Sequence, residues 1–215
     1  MPVFPKKSND PITIPKNATA DAPEIIREAK DTKKVIDVFL DEKESINALF
    51  SLFYDNEKSF DVPEDQMALS IVTYRLLPEY YVMLKKPFRV IANDKNGIPK
   101  YLTVIKGNDE GATCLANQGA KIEVTRSFLF EHWGGNVSWI YPDEGKDRLL
   151  NRGMDNIRVL KLQESLKNIG YIIEVTGIYD DSTYKAVKQF QTEFGLNPDG
   201  VTGPRTMAIL YQMAG

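Results

Sequence analysis

The chain has 215 residues, 42% hydrophobic and 27% charged, the balance of an ordinary soluble globular protein with room for one large or two small cores. With 27 basic against 30 acidic residues its net charge is −3, and no Lys/Arg run interleaved with aromatics marks a nucleic-acid partner. A single cysteine, Cys114, rules out an internal disulfide, and a single histidine, His132, leaves no Cys/His cluster for zinc.

No run of about 18 apolar residues offers a membrane span, and the N-terminus lacks the charged-then-apolar layout of a signal peptide. A protein of this kind working outside the cytoplasm reads as a soluble fragment of a longer chain, with any membrane attachment in a segment not present here. Nowhere does a Gly lead five residues later into Gly-Lys-Ser/Thr, so no phosphate-binding loop is present, and no cofactor is expected.

Residues 1–20 carry Pro2, Pro5, Pro11 and Pro15 among polar neighbours, too little apolar surface to offset the entropy of ordering, and read as a flexible tether. Asp21, Pro23 and Glu24 signal a helix start, with Ile25, Ile26, Ala29 and Ile36 on one face. A second helix is expected from about Asp41, with Ile46, Leu49, Phe50 and Phe53 as its apolar stripe. A third is expected from about Pro63 through Met67, Ala68, Ile71 and Val72 to Leu76, stopped ahead of Pro78, followed by a short helical turn over residues 79–85.

After Pro87 the period becomes alternating. Strands are expected at 88–92, 101–105, 112–116 and 121–125, separated by the turn signals Asn93–Gly97, Asn108–Gly111 and Asn117–Gly119. Ser127 is the expected cap of a short helix containing Phe128, Leu129 and Trp133, and Gly134-Gly135 precedes a last strand at 137–141. Helices first and an antiparallel meander second make an α+β domain over residues 21–142, and the polar, glycine-containing stretch Pro142–Arg148 reads as a boundary.

Residues 149–215 return to helical spacing. Val159, Leu162, Leu166 and Ile169 form one inward face ending at Gly170, and Ala186, Val187, Phe190 and Phe194 form a second ending at Gly195. A third starts at Pro204 and presents Met207, Leu210 and Met213. Two stretches repeat each other: Gly177 to Thr183 and Gly200 to Thr206 both place a Gly six residues before a Thr and lead into a helix. A glycine there permits a positive-φ turn, and helix-start N–H groups favour an acceptor or anion, so adjacent lead-in loops would frame a shallow polar groove rimmed by Tyr179 and Arg205.

At Leu150, Gly153, Leu162-Gln163, Gly170-Tyr171, Gly177, Tyr179-Asp180, Thr183, Phe190-Gln191, Asp199-Gly200, Gly203, Thr206 and Leu210 the sequence resembles the three-helix peptidoglycan-binding domain of bacterial cell-wall proteins. The resemblance implies noncovalent attachment to peptidoglycan and an all-α fold for residues 149–215. The residues expected to meet the ligand are Tyr179, Asp180, Asp181, Thr183, Gln191, Arg205 and Thr206. Among these, Asp180 and Asp181 are expected to act first as helix caps, and Gln191, with Gln163, to tie down nearby loop backbone. Arg205 suits a stem-peptide carboxylate, because its planar fork accepts an anion through two hydrogen bonds. Glycan strand and stem peptide both remain open as the ligand.

The order of the first domain, with Lys85-Lys86-Pro87 entering the first strand and Leu129–Trp133 before Gly134-Gly135, resembles a papain-like cysteine peptidase of the double-glycine processing (C39) type. Followed at once by the second domain, it resembles the periplasmic part of the general secretion pathway protein A family of type II secretion. The implied molecule is periplasmic, with peptidoglycan, other secretion-machinery proteins and copies of itself as partners. A cysteine peptidase needs a thiolate beside an imidazole. No cysteine lies in the helical half, and where the peptidase pattern carries its His the chain reads Lys100-Tyr101-Leu102. Cys114 reads as a small buried hydrophobe and His132 as a packed or surface residue, so no catalytic residue is assigned. The alternative is a cell-wall hydrolase or cysteine peptidase anchored by the C-terminal domain, for instance through Glu131 with Asp94. Tyr80-Tyr81, Trp133 and Trp139 are each expected in the core, or together as a contact surface for a protein or peptide.

Overall fold

The computed structural model describes residues 37–56, 68–93, 97–143 and 149–214. The tether, the helix from Asp21, the start of the third expected helix, Asp94 and most of the 142–148 boundary therefore lie outside the described residues. All the described residues belong to one compact unit.

The first helix among the described residues, α1 (Glu42–Asn56), opens on a reciprocal cap: the Glu44 N–H donates to Asp41 Oδ1 at 2.7 Å and the Asp41 N–H donates to Glu44 Oε2 at 3.2 Å. Its Leu49 and Phe53 are buried, as the stripe requires. Six strands follow: β1 (Ala68–Arg75), β2 (Phe88–Asn93), β3 (Pro99–Gly107), β4 (Gly111–Leu115), β5 (Lys121–Thr125) and β6 (Asn136–Asp143). They form one antiparallel sheet in the order β1-β6-β2-β3-β4-β5, so the last strand returns to sit between the first two.

β1 corrects the expected third helix. Its residues pair with β6 along all eight positions, from Ala68 opposite Asp143 to Arg75 opposite Asn136. Leu69 and Ile71 pack with Leu49, Phe53 and Ile140, whereas Val72 and Tyr74 join the larger core, and Tyr74 stacks on Trp139 at 4.9 Å. Apolar residues on both faces look helical over a short window; the β-branched run Ile71-Val72-Thr73 and a waiting partner strand decide for the sheet. The turn before β2 is a 3-10 helix, Pro78–Met83. A second small correction concerns α2 (Arg126–His132): Thr125, not Ser127, caps it, its Oγ1 accepting from the Phe128 N–H at 3.2 Å. Tyr81, Trp133 and Trp139 are buried, so the reading of an exposed aromatic surface gives way to core packing, and half-buried Tyr80 rests 5.8 Å from the Phe194 ring.

Helices α3 (Ile157–Asn168), α4 (Asp181–Glu193) and α5 (Pro204–Ala214) form the C-terminal part. Val159, Leu162 and Leu166 meet Val187, Phe190, Leu210 and Met213 in its interior. This interior is continuous with the large core of the sheet. The Lys85 N–H donates to the Gln212 carbonyl at 2.9 Å, the Gln212 amide donates back to the Lys86 carbonyl at 2.7 Å, and Tyr211 packs edge-on against Tyr141. Pro142 and Asp143, expected in a connector, are instead the end of β6.

Candidate functional site

The repeated Gly-to-Thr stretches are the lead-in loops of α4 and α5, and each is held by a buried glutamine. Gln163 of α3 accepts through Oε1 from the Thr176 and Gly177 N–H groups, both at 2.8 Å. Through Nε2 it donates to the Ile178 carbonyl and to Thr183 Oγ1, both at 2.9 Å. Gln191 of α4 does the same one repeat later. Its Oε1 accepts from Gly200 N–H at 2.8 Å, and its Nε2 donates to the Val201 carbonyl at 2.9 Å and to Thr206 Oγ1 at 3.4 Å. Each amide satisfies loop groups that burial would otherwise leave unpaired, which is why the Gly-to-Thr spacing recurs. Gly177 and Gly200 have φ of +80° and +72°, as the expected turns require.

Tyr179 corrects the expected rim. It is 1% exposed, and its hydroxyl donates to the Gly200 carbonyl at 2.8 Å and lies 3.1 Å from Thr202 Oγ1. Burial pushes its pKa up to about 12. The ring brings the two loops side by side, as the groove requires, but from beneath. Thr183 is likewise fully buried. Asp180 caps α4, accepting from the Thr183 N–H and hydroxyl at 2.8 Å each, bonds that hold its carboxyl below the usual range. Asp181 is paired with Arg152 at 3.0 Å, and the Arg152 guanidinium lies 3.7 Å from the centre of the Tyr184 ring.

A groove of about 400 Å³ lies at the α5 lead-in. Gln191, Arg205 and Thr206 line it, together with Leu149, Leu196, Asn197, Asp199 and Pro204; Tyr179, Asp180, Asp181 and Thr183 do not. The sequence signal for Leu196, Asn197 and Asp199 is the Asn-Pro-Asp-Gly turn at 197–200, which marks their loop but not a ligand contact. Asp199 accepts from the Val201 N–H at 2.8 Å and from the Gln191 amide at 3.0 Å, which lowers its pKa. At the position where α4 has its Asp180 cap, α5 is preceded by Gly203, with no side chain to cap it, and Arg205 is exposed. The Arg205 carbonyl in turn accepts from the Tyr74 hydroxyl of β1 at 3.3 Å.

The segment that carries these two loops is similar to a known domain. Residues 156–210 match the family model described as "Putative peptidoglycan binding domain". Among curated relatives, general secretion pathway protein A of Aeromonas hydrophila is 28% identical over 142 residues, 61% of this chain and 24% of that protein. A spore cortex-lytic enzyme of Halalkalibacterium halodurans is 38% identical over 65 residues, 30% of this chain and 20% of that enzyme, confined to the peptidoglycan-binding domain. The chain thus spans a quarter or less of the length of these relatives. In fold it is similar to a crystal structure of a periplasmic domain of the EpsAB fusion protein of the Vibrio vulnificus type II secretion system, with a TM-score of 0.53 and 18% identity over 85% of this chain and 82% of that one. That likeness in fold spans the sheet as well as the peptidoglycan-binding domain.

Neither candidate for thiol chemistry is placed for it. Cys114 is fully buried among apolar neighbours on β4, and burial pushes its thiol up to about 12, far from the thiolate a nucleophile needs at neutral pH. His132 packs between Phe39 and Phe128, its Nδ1 2.9 Å from the Phe128 carbonyl. Tyr101 is 7% exposed, with the Arg89 guanidinium 4.4 Å from its ring centre.

Proposed function

We propose that this chain is a non-enzymatic, peptidoglycan-binding periplasmic part of a type II secretion assembly protein. The peptidoglycan-binding domain holds the cell wall, and the sheet domain, a peptidase-like scaffold without peptidase chemistry, faces secretion-machinery proteins or copies of itself. Similarity to general secretion pathway protein A over 61% of the chain supports the assignment to secretion. The likeness to enzymes is limited to the peptidoglycan-binding domain, which favours an anchor over the alternative of a cell-wall hydrolase or cysteine peptidase.

The observation that carries the reading is the groove at the α5 lead-in, where an exposed Arg205 stands beside a helix start that lacks a side-chain cap, over a floor containing Gln191 and Thr206. Arg205 takes a carboxylate of the stem peptide through paired hydrogen bonds, Leu149, Leu196 and Pro204 cover its apolar parts, and Asn197 and Asp199 supply polar contacts to amide or sugar groups. Co-sedimentation of the full chain with purified sacculi tests this. Arg205→Glu is expected to lower retention by roughly tenfold or more, in keeping with loss of a charge-assisted anion contact, while the melting temperature stays unchanged. Undiminished retention of that variant would remove Arg205 and this groove from the proposal.

A further inference from the structure

The two lead-in loops of the peptidoglycan-binding domain differ where charge is concerned. Counting from Gly177 and from Gly200, Asp180 corresponds to Gly203, Ser182 to Arg205 and Thr183 to Thr206. At these positions a carboxylate is lost and a cation gained between the first repeat and the second. In the first repeat the Asp180 carboxylate accepts from both the N–H and the hydroxyl of Thr183, at 2.8 Å each, while Thr183 Oγ1 accepts from the Gln163 amide at 2.9 Å. The start of α4 thus shows what its paired donors hold: a carboxylate supplied by the chain itself.

The second repeat keeps the donors and omits the anion. Thr206 is 3% exposed and lines the groove, its Oγ1 accepts from the Gln191 amide at 3.4 Å, and among the described residues no acceptor takes its hydroxyl proton. Its N–H lies in the first turn of α5, where no earlier helical turn supplies a carbonyl. The Gly203 carbonyl accepts from the Met207 N–H at 3.0 Å, as the Asp180 carbonyl does from the Tyr184 N–H at 3.0 Å, so the two residues hold the same place in their helices. The backbone does not demand the glycine. Its φ lies outside the left-handed region, and an added Cβ would meet only the end of the Leu149 side chain, at 3.4 Å.

A buried hydroxyl proton, a helix-start N–H and the exposed Arg205 guanidinium all present hydrogen to the groove. A group that only accepts matches all three, whereas a carboxamide turns its own N–H toward a donor. We infer that the groove seats a free carboxylate of the stem peptide in the place that Asp180 fills in the first repeat, on the Thr206 N–H and hydroxyl with Arg205 alongside, and that it rejects stem peptides whose carboxylates are amidated. This rests on the reading of the groove as the peptidoglycan site and narrows its ligand to the free-acid form.

Isothermal titration calorimetry on the full chain tests it with two probes: the disaccharide tetrapeptide that a muramidase releases from purified sacculi, and the same compound after carbodiimide coupling of its carboxylates to ammonia. The amidated probe is expected to bind roughly tenfold more weakly or worse. Gly203→Asp supplies the missing anion from within and is expected to bind the free-acid probe roughly tenfold more weakly than the parent or worse, whereas Gly203→Ala, which adds bulk without charge, is expected to lose about threefold or less. The introduced carboxylate also caps α5, so Gly203→Asp is expected to melt about 2–4 °C above Gly203→Ala. A more stable fold with weaker binding is the signature of a seat that the chain has filled for itself. Equal affinity for the two probes, or equal losses of affinity in the two variants, overturns the inference. If the parent still co-sediments with sacculi in that case, the groove keeps its ligand and only the carboxylate seat falls; a parent that does not co-sediment removes both.

Discussion

Removing the Gln191 amide should cost far more than a surface substitution. In Gln191→Ala, the Gly200 N–H loses its acceptor at 2.8 Å, and the Val201 carbonyl and Thr206 hydroxyl lose their donor, all around a side chain that is 2% exposed. Two ordinary hydrogen bonds at about 1 kcal/mol each, plus the penalty of a buried N–H left unmade, come to roughly 3 kcal/mol. For a chain of this size that corresponds to a fall in melting temperature of about 6–12 °C. Chemical denaturation of the full chain, followed by circular dichroism, reads the value directly. The lead-in loops are also tied to each other, because Tyr179 from the first loop reaches the Gly200 carbonyl that the second loop presents. Tyr179→Phe and Gln191→Ala should therefore be non-additive, by about 0.5 kcal/mol or more in a double-mutant cycle. A loss below about 1 kcal/mol for Gln191→Ala would refute the clamp, because it falls to the level of a single hydrogen bond. Strict additivity with Tyr179→Phe would show instead that the loops are independent.

The α4 cap carries a pH signature. The folded-state pKa of Asp180 is lowered, so its contribution is present above the unfolded carboxylate value and is lost as pH falls through the lower folded value. Asp180→Ala should cost about 1 kcal/mol near neutral pH, and the gap between variant and parent should close in the acid range below the usual Asp pKa; a gap constant with pH would exclude ionisation as its source. Native Cys114 should resist a thiol reagent at pH 8 and react at once after unfolding, whereas labelling of the folded chain at the free-cysteine rate would contradict its burial. Gly200→Ala should destabilise more than Gly195→Ala, since a Cβ at 200 would meet the Tyr184 ring at 2.2 Å while one at 195 meets nothing within 4 Å. Both substitutions pay the left-handed backbone cost of about 1–2 kcal/mol, so equal melting points would mean that the ring yields freely.

Much of the peptidoglycan-binding domain was legible because its signals are local. The spacing from Val159 to Leu166 describes one helix face whatever surrounds it, and Gly177 and Gly200 announce turns that few other residues tolerate. The strands at 88–92, 101–105 and 121–125 were readable for the same reason, since alternation and turn residues lie within one hairpin. Residues 68–75 form a strand despite their helix-like spacing because pairing with residues 136–143, a partner far along the chain that no local window contains, overrules it. The candidate site divides along the same line. Gln191, Arg205 and Thr206 line the groove, whereas Tyr179 is drawn under the loops by the Gly200 carbonyl and the Thr202 hydroxyl.

From its own residues, then, the chain determined which segments of the C-terminal domain become helices, where its turns fall, and that one unpaired thiol and one imidazole stand apart in sequence. Tertiary structure alone decided that β6 lies between β1 and β2, that the core of the sheet runs on into the three helices, and which polar side chains face water. Those outcomes depend on contacts between distant residues, such as Tyr74 with Arg205 and Lys85 with Gln212, whose energies exist only once the chain has folded.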